Sequence, residues 1–513
     1  MSLYGILEAI SAEFPDREAL ISKGVRLTYA DLKKKVDCMA AALSQRGVKK
    51  GDRVAVLLRN TFEVVVAYFA IMKTGGIEVA LNPVTESRQN IEYALNDCQA
   101  EFLVTHSRHA ELISDTIPSL NTIIYIGEAD SLLHLNKELV SFNEMLDTVS
   151  FCLTDGPDIA LEDEAVIAYT SGTTGMRKGV VLTHGNLISV AEVTAKDLSL
   201  ENDRCLLLIP LYHAFGKQIL NSRILKGSTV LLLENILFPV EILNILESEK
   251  ASGIVGVPTI YRMLLDTIKK SKREYKFPEF RYISTGGSKM PPERFVELWK
   301  WFPSITILSG YGLTETSGRG TVMIFESLSE KTKKLESCGR PPFGMKLSDR
   351  EGREVGCGEI GEVNFSGPNI MKGYWKKPDE TGEVLEKGWL RSGDLGYTDE
   401  EGDLYIIDRK KDILKSAGEI ISPKEIEIII ETHPAVKEAA VIGIEDEVLG
   451  EKIKAFVVLN DDSSVSKDEI IDYCSENLPF AKIPAVVEFR SKLPKSTLDK
   501  IKKAVLREEE TNG

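Results

Sequence analysis

Between Tyr29 and about Gln45 the chain reads "YADLKKKVDCMAAALSQ", with apolar residues at steps of three and four. That spacing is one face of a helix, and a compact apolar run suited to a strand follows from Val54. "FEVVVAYFAIMKTGGIEVAL" repeats the theme, which predicts a helix ending near Gly75 and a strand entered at Ile77. "NIEYALNDCQAEFLVT" does so once more. The alternation resumes through "STVLLLENILFPVEILNILESEKASGIVGVP" and "FRYISTGGSKMPPERFVELWKWFPSITILSGYG". Helices alternating with short apolar strands imply parallel β-α units and sheets covered by helices. The expected fold class is α/β, with a large N-terminal domain of helix-covered, mainly parallel sheets.

From Cys338 to Gly402 the texture changes to short extended segments between glycine-bearing turns, such as "GEIGEVNFSGPN". This predicts a β-rich subdomain at about 338–408. The last hundred residues alternate differently: "KEIEIIIET" as helix, "EAAVIGI" and "EKIKAFVVL" as strands, "KDEIIDYCSEN" as helix and "AVVEF" as strand. They suffice for a small α+β domain with its own core. The charged segment "IDRKKD", Ile407 to Asp412, separates the two textures, so the expected domains are 1–408 and 409–513.

Composition adds limits. A chain of 513 residues, 43% hydrophobic and 27% charged, is ordinary globular protein and too long for one core. A net charge of −15 speaks against general nucleic-acid binding, so an anionic ligand needs local cations. Seven scattered cysteines and six unclustered histidines point away from a disulfide framework and from zinc. The first twenty residues carry acidic positions and no basic start, and the longest apolar run, from Val64, is too short to span a bilayer. The expectation is a cytoplasmic protein without a membrane span.

One stretch stands out chemically. "AYTSGTTGMRKGVVLTHGNL", Ala168 to Leu187, surrounds two adjacent cations with hydroxyls and bare backbone. Such a loop offers many donors and little bulk, which suits a phosphate chain. Its flanks, "AVIAYT" and "GVVLT", read as strands, with a turn at His184-Gly185 into a helix from Asn186. A Walker loop needs Gly-Lys-Ser/Thr followed at once by a helix; here Lys178 precedes Gly179 and a strand. The loop is therefore no Walker loop; its hydroxyls, amides and Lys178 still suit phosphate oxygens, and the alternative is an ordinary polar turn.

"YTSGTTGMRKG" resembles the phosphate-binding motif of the adenylate-forming superfamily, the AMP-dependent ligases that include acyl-CoA synthetases. Further stretches recur in that family's order: "PLYHAFG", "STGGSK", "GYGLTET", "WLRSGDLG", "DRKKDILKSAGEIISPKEIE" and "LPKSTLDK". The resemblance runs from the helix start at Thr28-Tyr29 to Lys500. It implies ATP and AMP binding by Thr170, Ser171, Gly172, Thr173, Thr174, Gly175 and Lys178, and by Gly286, Gly287 and Ser288. Gly310, Tyr311, Gly312 and Thr314 complete the purine and α-phosphate contacts, and Asp394 with Arg409 would hold the ribose. It places Glu315 on Mg²⁺, a hard cation suited to a carboxylate. Lys500, Thr314, Glu315, His213 and Lys178 are the catalytic set it implies. The acyl pocket would be lined by His213, Phe215, Ile219, Gly286 and Gly312, with Lys411 as the hinge of a mobile small domain and Gly418 serving the thiol step. Taken singly, Asp394 reads as a turn residue, Tyr311 as a core aromatic and His213 as a satisfied core histidine.

The implied chemistry joins a carboxylic acid to the α-phosphate of Mg·ATP, releases pyrophosphate, and passes the acyl group to a thiol. The thiol belongs to coenzyme A, in the manner of fatty acid metabolism, or to the phosphopantetheine of an acyl carrier protein. Lys410, Lys415, Lys495 and Lys502 suit either acceptor. Amino-acid adenylation is disfavoured because no Asp for an α-amine lies near "PLYHAFG". A non-catalytic nucleotide sensor and a luciferase-type oxygenase are weaker alternatives. Two positions depart from the family pattern: Arg177 stands where a proline is usual, and Asp499 where a glycine precedes the catalytic lysine. On the helix after "PLYHAFG", Lys217, Gln218, Asn221 and Arg223 are more polar than a long-chain pocket calls for, or they form a solvated face.

Overall fold

The computed structural model describes residues 2–147, 156–170, 177–198, 200–234, 238–327, 334–416, 419–446, 450–461, 463–495 and 501–511. Two compact units divide the chain. The first comprises Met1–Gly344 and Phe365–Leu390, the second Met345–Asn364 and Arg391–Gly513. The 408/409 position falls inside the second unit.

Local signals built the helices where the pattern placed them. Thr28 caps the helix Tyr29–Gln45 by accepting from the Asp31 amide, and the Asp31 carboxylate accepts in return from the Thr28 amide, closing a capping box. The helix Phe62–Thr74 ends at Gly75, whose φ of 72° is the left-handed conformation that glycine adopts without strain. Strand Ile77–Ala80 then pairs in parallel with Arg53–Leu57. Thr183 and Asn186 form a second capping box, so the helix after the cradle starts at His184 and runs to Asp197, two residues earlier than the turn pattern suggested.

The first unit holds two eight-stranded sheets. One runs, edge to edge, Thr321–Phe325, Thr306–Tyr311, Tyr282–Thr285, Gly253–Gly256, Arg204–Leu207, Thr229–Leu232, Glu18–Ser22 and Val25–Thr28. Its inner pairs are parallel and its two edge pairs antiparallel. The other runs Gly373–Tyr374, Lys178–Thr183, Glu164–Thr170, Ile77–Ala80, Arg53–Leu57, Phe102–His106, Thr122–Ile126 and Glu138–Ser141. It is parallel except where Lys178–Thr183 meets its two neighbours. Buried Ala55, Leu57, Val79, Leu103, Ile123 and Ile167 supply part of its core, as near-continuous apolar strands require.

Gly344–Ser348, Gly361–Ser366, Leu385–Glu386, Trp389–Thr398 and Leu404–Arg409 form a five-stranded sheet, and the chain from Leu414 onward is built on another, in which Val436–Asp446 and Gly450–Leu459 pair antiparallel over their full length. Leu414, Ile426, Ile430, Val441, Ala455, Val457 and Ile470 form the core beneath the helices Pro423–Glu431 and Lys467–Asn477. This is the expected small α+β fold. Among the described residues no helix is long and apolar enough to cross a membrane.

The helix Ala214–Leu225 overturns the solvated-face expectation. Lys217, Gln218, Asn221 and Arg223 are all buried. Lys217 pairs with the equally buried Glu78 and lies 4.3 Å from the centre of the Tyr68 ring. Asn221 donates to the Tyr68 hydroxyl at 3.1 Å, and Gln218 to Thr194 at 2.8 Å. Burial pushes the Glu78 carboxyl up and the Lys217 ammonium down from their ordinary values, and each group restrains the other's shift. Such a pair stays buried because removing either partner leaves a charge in the interior, which costs about 3–5 kcal/mol.

Candidate active site

The expected site residues divide between the two units. In the first, the strands Glu164–Thr170 and Lys178–Thr183 leave and rejoin the sheet at the pair Thr170 and Lys178, at the two ends of the glycine-rich loop. Ser171, Gly172, Thr173, Thr174 and Gly175 lie outside the described residues. Lys178 places its ammonium 5.0 Å from the centre of the Tyr374 ring, and the Tyr374 hydroxyl donates to Glu315 Oε1 at 3.0 Å. The cradle lysine and the expected metal ligand therefore flank one tyrosine. Arg177 points elsewhere: its guanidinium pairs with Glu86, and its carbonyl accepts from the Tyr93 hydroxyl at 3.1 Å. The cation that replaces the family's proline is already neutralised.

Glu315 sits in the 3₁₀ turn Thr314–Thr316, at the end of strand Thr306–Tyr311. The turn closes through Ser317, a buried non-glycine residue at φ 56°, whose hydroxyl donates to the Asn369 carbonyl at 2.9 Å. A left-handed serine costs free energy, and this bond helps to hold it together with the Ser317 amide, which donates to the Thr314 carbonyl at 2.9 Å. Tyr311 lies 6.1 Å from Phe365, ring centre to ring centre, with the two planes tilted by 38°.

The glycines converge on Phe215. A Cβ at Gly286 would meet Phe215 Cε1 at 3.1 Å and the Gly310 carbonyl at 3.3 Å, and one at Gly318 would lie 2.8 Å from the Phe215 amide nitrogen. A Cβ at Gly312 would in turn strike the Gly318 carbonyl at 2.6 Å. Bare backbone is thus required where the strand ends pass the start of the helix. His213 is the N-cap of that helix, half-buried, with its ring 4.7 Å from Tyr212. Ile219 follows Phe215 one turn later and is buried. Gly287 takes φ 84° in the turn that carries Ser288.

In the second unit Asp394 and Arg409 are register partners on neighbouring antiparallel strands, and Arg409 Nε reaches Asp394 Oδ1 at 3.1 Å. Asp408 accepts from the Ser422 hydroxyl and the Lys424 amide, both at 3.0 Å, which fastens this strand to the start of the helix Pro423–Glu431. Lys411 is exposed in a turn in which the Asp412 and Ile413 amides both donate to the Arg409 carbonyl. Partial desolvation, with Arg409 and Arg507 nearby, holds its ammonium below the usual lysine range against the pull of Asp412. Gly418, Asp499 and Lys500 lie outside the described residues.

The profile described as "AMP-binding enzyme" matches residues 7–375, and "AMP-binding enzyme C-terminal domain" matches 425–500. The chain belongs to the AMP-binding enzyme family. Similar proteins include a long-chain-fatty-acid–CoA ligase of Bacillus subtilis, 33% identical over 100% of this chain and 95% of the relative. A 2-succinylbenzoate–CoA ligase of Bacillus cereus is 31% identical over 96% of both. Among solved structures, o-succinylbenzoate CoA synthetase from Bacillus subtilis with its acyl-adenylate intermediate superposes with a TM-score of 0.86 at 31% identity, covering 99% of this chain and 98% of that one. An anthranilate CoA ligase bound to anthranoyl-AMP gives 0.87 at 27% identity, with 99% and 97% covered. These likenesses agree with the α/β architecture described above.

Sequence reasoning missed two features of this AMP-binding enzyme. Tyr374, in "MKGYWKKP", carries no chemical motif of its own, and its importance appears only when the strand Gly373–Tyr374 docks on Lys178–Thr183. Gly318 was equally silent, although its φ of 90° and its place against Phe215 make it as constrained as Gly286.

Proposed function

We propose that this AMP-binding enzyme converts a carboxylic acid to an acyl-adenylate with ATP and then to a thioester of coenzyme A. The observation that carries the reading is the meeting of Lys178 and Glu315 on either side of Tyr374. It puts a cation for phosphate oxygens and a carboxylate for a divalent metal within one small region. Glu315 fits a hard cation, because Tyr374 holds Oε1 and Oε2 takes no partner among the described residues. Mg²⁺ bound there would neutralise charge on the phosphate oxygens.

In the first half-reaction a carboxylate oxygen of the acid bonds to the α-phosphorus while the bond to the pyrophosphate oxygen breaks. Lys178 and the loop hydroxyls stabilise the leaving group, and Thr314 and Lys500 act at the α-phosphate and the acid. Asp394 accepts from the ribose hydroxyls, and Arg409 keeps that carboxylate oriented. In the second half-reaction the sulfur bonds to the acyl carbon, AMP departs with the electrons of the acyl–oxygen bond, and the thiol proton passes to solvent. The segment bearing Gly418 serves this step, with Lys411 as the pivot between the two arrangements. No protein nucleophile takes part.

The acceptor is tested directly by mass spectrometry of products formed from Mg·ATP, a panel of acids, and either coenzyme A or a holo acyl carrier protein. An acyl-CoA mass supports the proposal. A product found only on the carrier protein assigns the enzyme to carrier loading instead.

A further inference from the structure

Lys178 and Glu315 carry opposite charges close together, yet among the described residues they form no ion pair with each other. The group between them is Tyr374. Its hydroxyl donates to Glu315 Oε1 at 3.0 Å, while its ring centre lies 5.0 Å from the Lys178 ammonium. A tyrosine is the side chain that can do both, since it has a phenolic donor at its tip and an electron-rich face along its body.

The backbone fixes this placement on both sides. The Met371 amide donates to the Glu315 carbonyl at 2.9 Å, which ties the segment to the 3₁₀ turn. The Lys372 amide donates to the Val181 carbonyl at 2.9 Å, and the Trp375 amide to the Gly179 carbonyl at 2.7 Å, which tie it to the strand that Lys178 opens. Tyr374 itself donates its amide to the Thr381 hydroxyl at 2.9 Å. Five residues thus span from the carboxylate to the lysine, and the tyrosine is held rather than free to swing away.

We infer that Tyr374 is a positioning residue that keeps Lys178 and Glu315 apart and aims each at its own part of the substrate. The hydrogen bond turns Glu315 so that Oε2 faces outward for a divalent cation. The ring gives Lys178 a weak resting place, one that phosphate oxygens outcompete when ATP arrives. Without the ring between them, ammonium and carboxylate would close into an ion pair and neither would be available. The inference rests on the proposed function, which makes Glu315 the metal ligand and Lys178 a phosphate ligand.

The test uses the full-length protein, a non-hydrolysable ATP analogue, and Mn²⁺ read by electron paramagnetic resonance. Tyr374→Phe keeps the ring and removes the donor. It is expected to weaken Mn²⁺ binding in the presence of the analogue by about fivefold, while metal-free analogue binding in EDTA by calorimetry stays unchanged. Tyr374→Leu removes the ring as well and is expected to weaken both by about tenfold or more, through collapse of Lys178 onto Glu315. A Tyr374→Phe protein with wild-type Mn²⁺ affinity overturns the inference, and so does an equal loss of both affinities, which is the mark of a generic structural role. Glu315→Gln distinguishes the metal-ligand assignment of Glu315 from the positioning role of Tyr374. If it leaves Mn²⁺ affinity unchanged, the assignment of Glu315 falls and the inference with it. If it lowers Mn²⁺ affinity while Tyr374→Phe does not, only the inference fails.

Discussion

The Arg223 guanidinium donates to the Tyr282 hydroxyl at 2.9 Å, and Tyr282 donates to Asp203 Oδ2 at the same distance. Arg223 Nε lies 3.3 Å from that oxygen, and all three residues are buried. Arg223 stands eight residues beyond Phe215 on one helix, and Tyr282 opens the strand that leads to Gly286. The two walls proposed for the acyl pocket are therefore tied together about 12 Å below Phe215. Tyr282 also fills its level completely: a Cβ at Gly253 would strike the ring at 2.0 Å.

An acyl chain running along that helix would meet this buried cluster, which sets the expectation of aryl and short acyl acids as substrates. Hexadecanoate is expected to be at least about tenfold poorer in kcat/KM than hexanoate or benzoate, because a long chain would have to displace a hydrogen-bonded buried charge. Steady-state kinetics with those three acids checks this. A preference for hexadecanoate would show that the acyl chain takes another route.

Arg177 is expected to matter for stability rather than for ATP. Arg177→Pro restores the family's usual residue but strands Glu86, whose side chain is 13% exposed. Thermal unfolding should show a loss of about 1–3 kcal/mol, and pairing the change with Glu86→Gln should recover most of it. An ATP KM raised as sharply as by loss of Lys178 would instead place Arg177 on the phosphates.

Stability should fall on the acid side because of His184. The residue is fully buried at the start of its helix, and Nδ1 accepts from the Leu3 amide at 3.3 Å. Burial pulls its pKa from 6.5 down to about 4. The unfolded chain therefore takes up a proton that the folded chain refuses. Stability is full above about pH 6.5 and declines as pH falls toward 4, by on the order of 3 kcal/mol. Denaturant titrations of wild type and His184→Gln across that window check the sign: the variant should lose less with acid. An identical slope would assign the acid loss to other groups, such as His109, which is shifted the same way.

Much of the fold was legible because its signals are local. Thr28 with Asp31, and Gly75 at a helix end, announce themselves within a few residues. What could not be read depends on partners distant in sequence. Lys217 looks like surface until Glu78 is brought beside it, Arg177 reads only as an added cation in the loop until Glu86 claims it, and Tyr374 finds its neighbours only through a strand nearly two hundred positions earlier. The motif residues were placed by resemblance, but the contacts that hold them were not visible in it.

Lys411 offers a test of the pivot. Proline there fixes φ in the third position of the Arg409–Asp412 turn and restricts Lys410 as well. Lys411→Pro should keep pyrophosphate release within about tenfold of wild type and lower thioester formation by at least about a hundredfold, while Lys411→Ala changes both little. Thioester synthesis retained by a folded proline variant would remove Lys411 as the pivot.

Whether one chain performs both half-reactions is decided by measuring them separately. Pyrophosphate release from acid and Mg·ATP is measured beside thioester formation from supplied acyl-adenylate and coenzyme A, in wild type and in Lys500→Ala. Wild type is expected to catalyse both, and Lys500→Ala to lose the first while retaining the second, as the two-step scheme requires. A wild-type protein that binds ATP but releases no pyrophosphate with any acid of a broad panel, or a variant in which both steps fall equally, would contradict it.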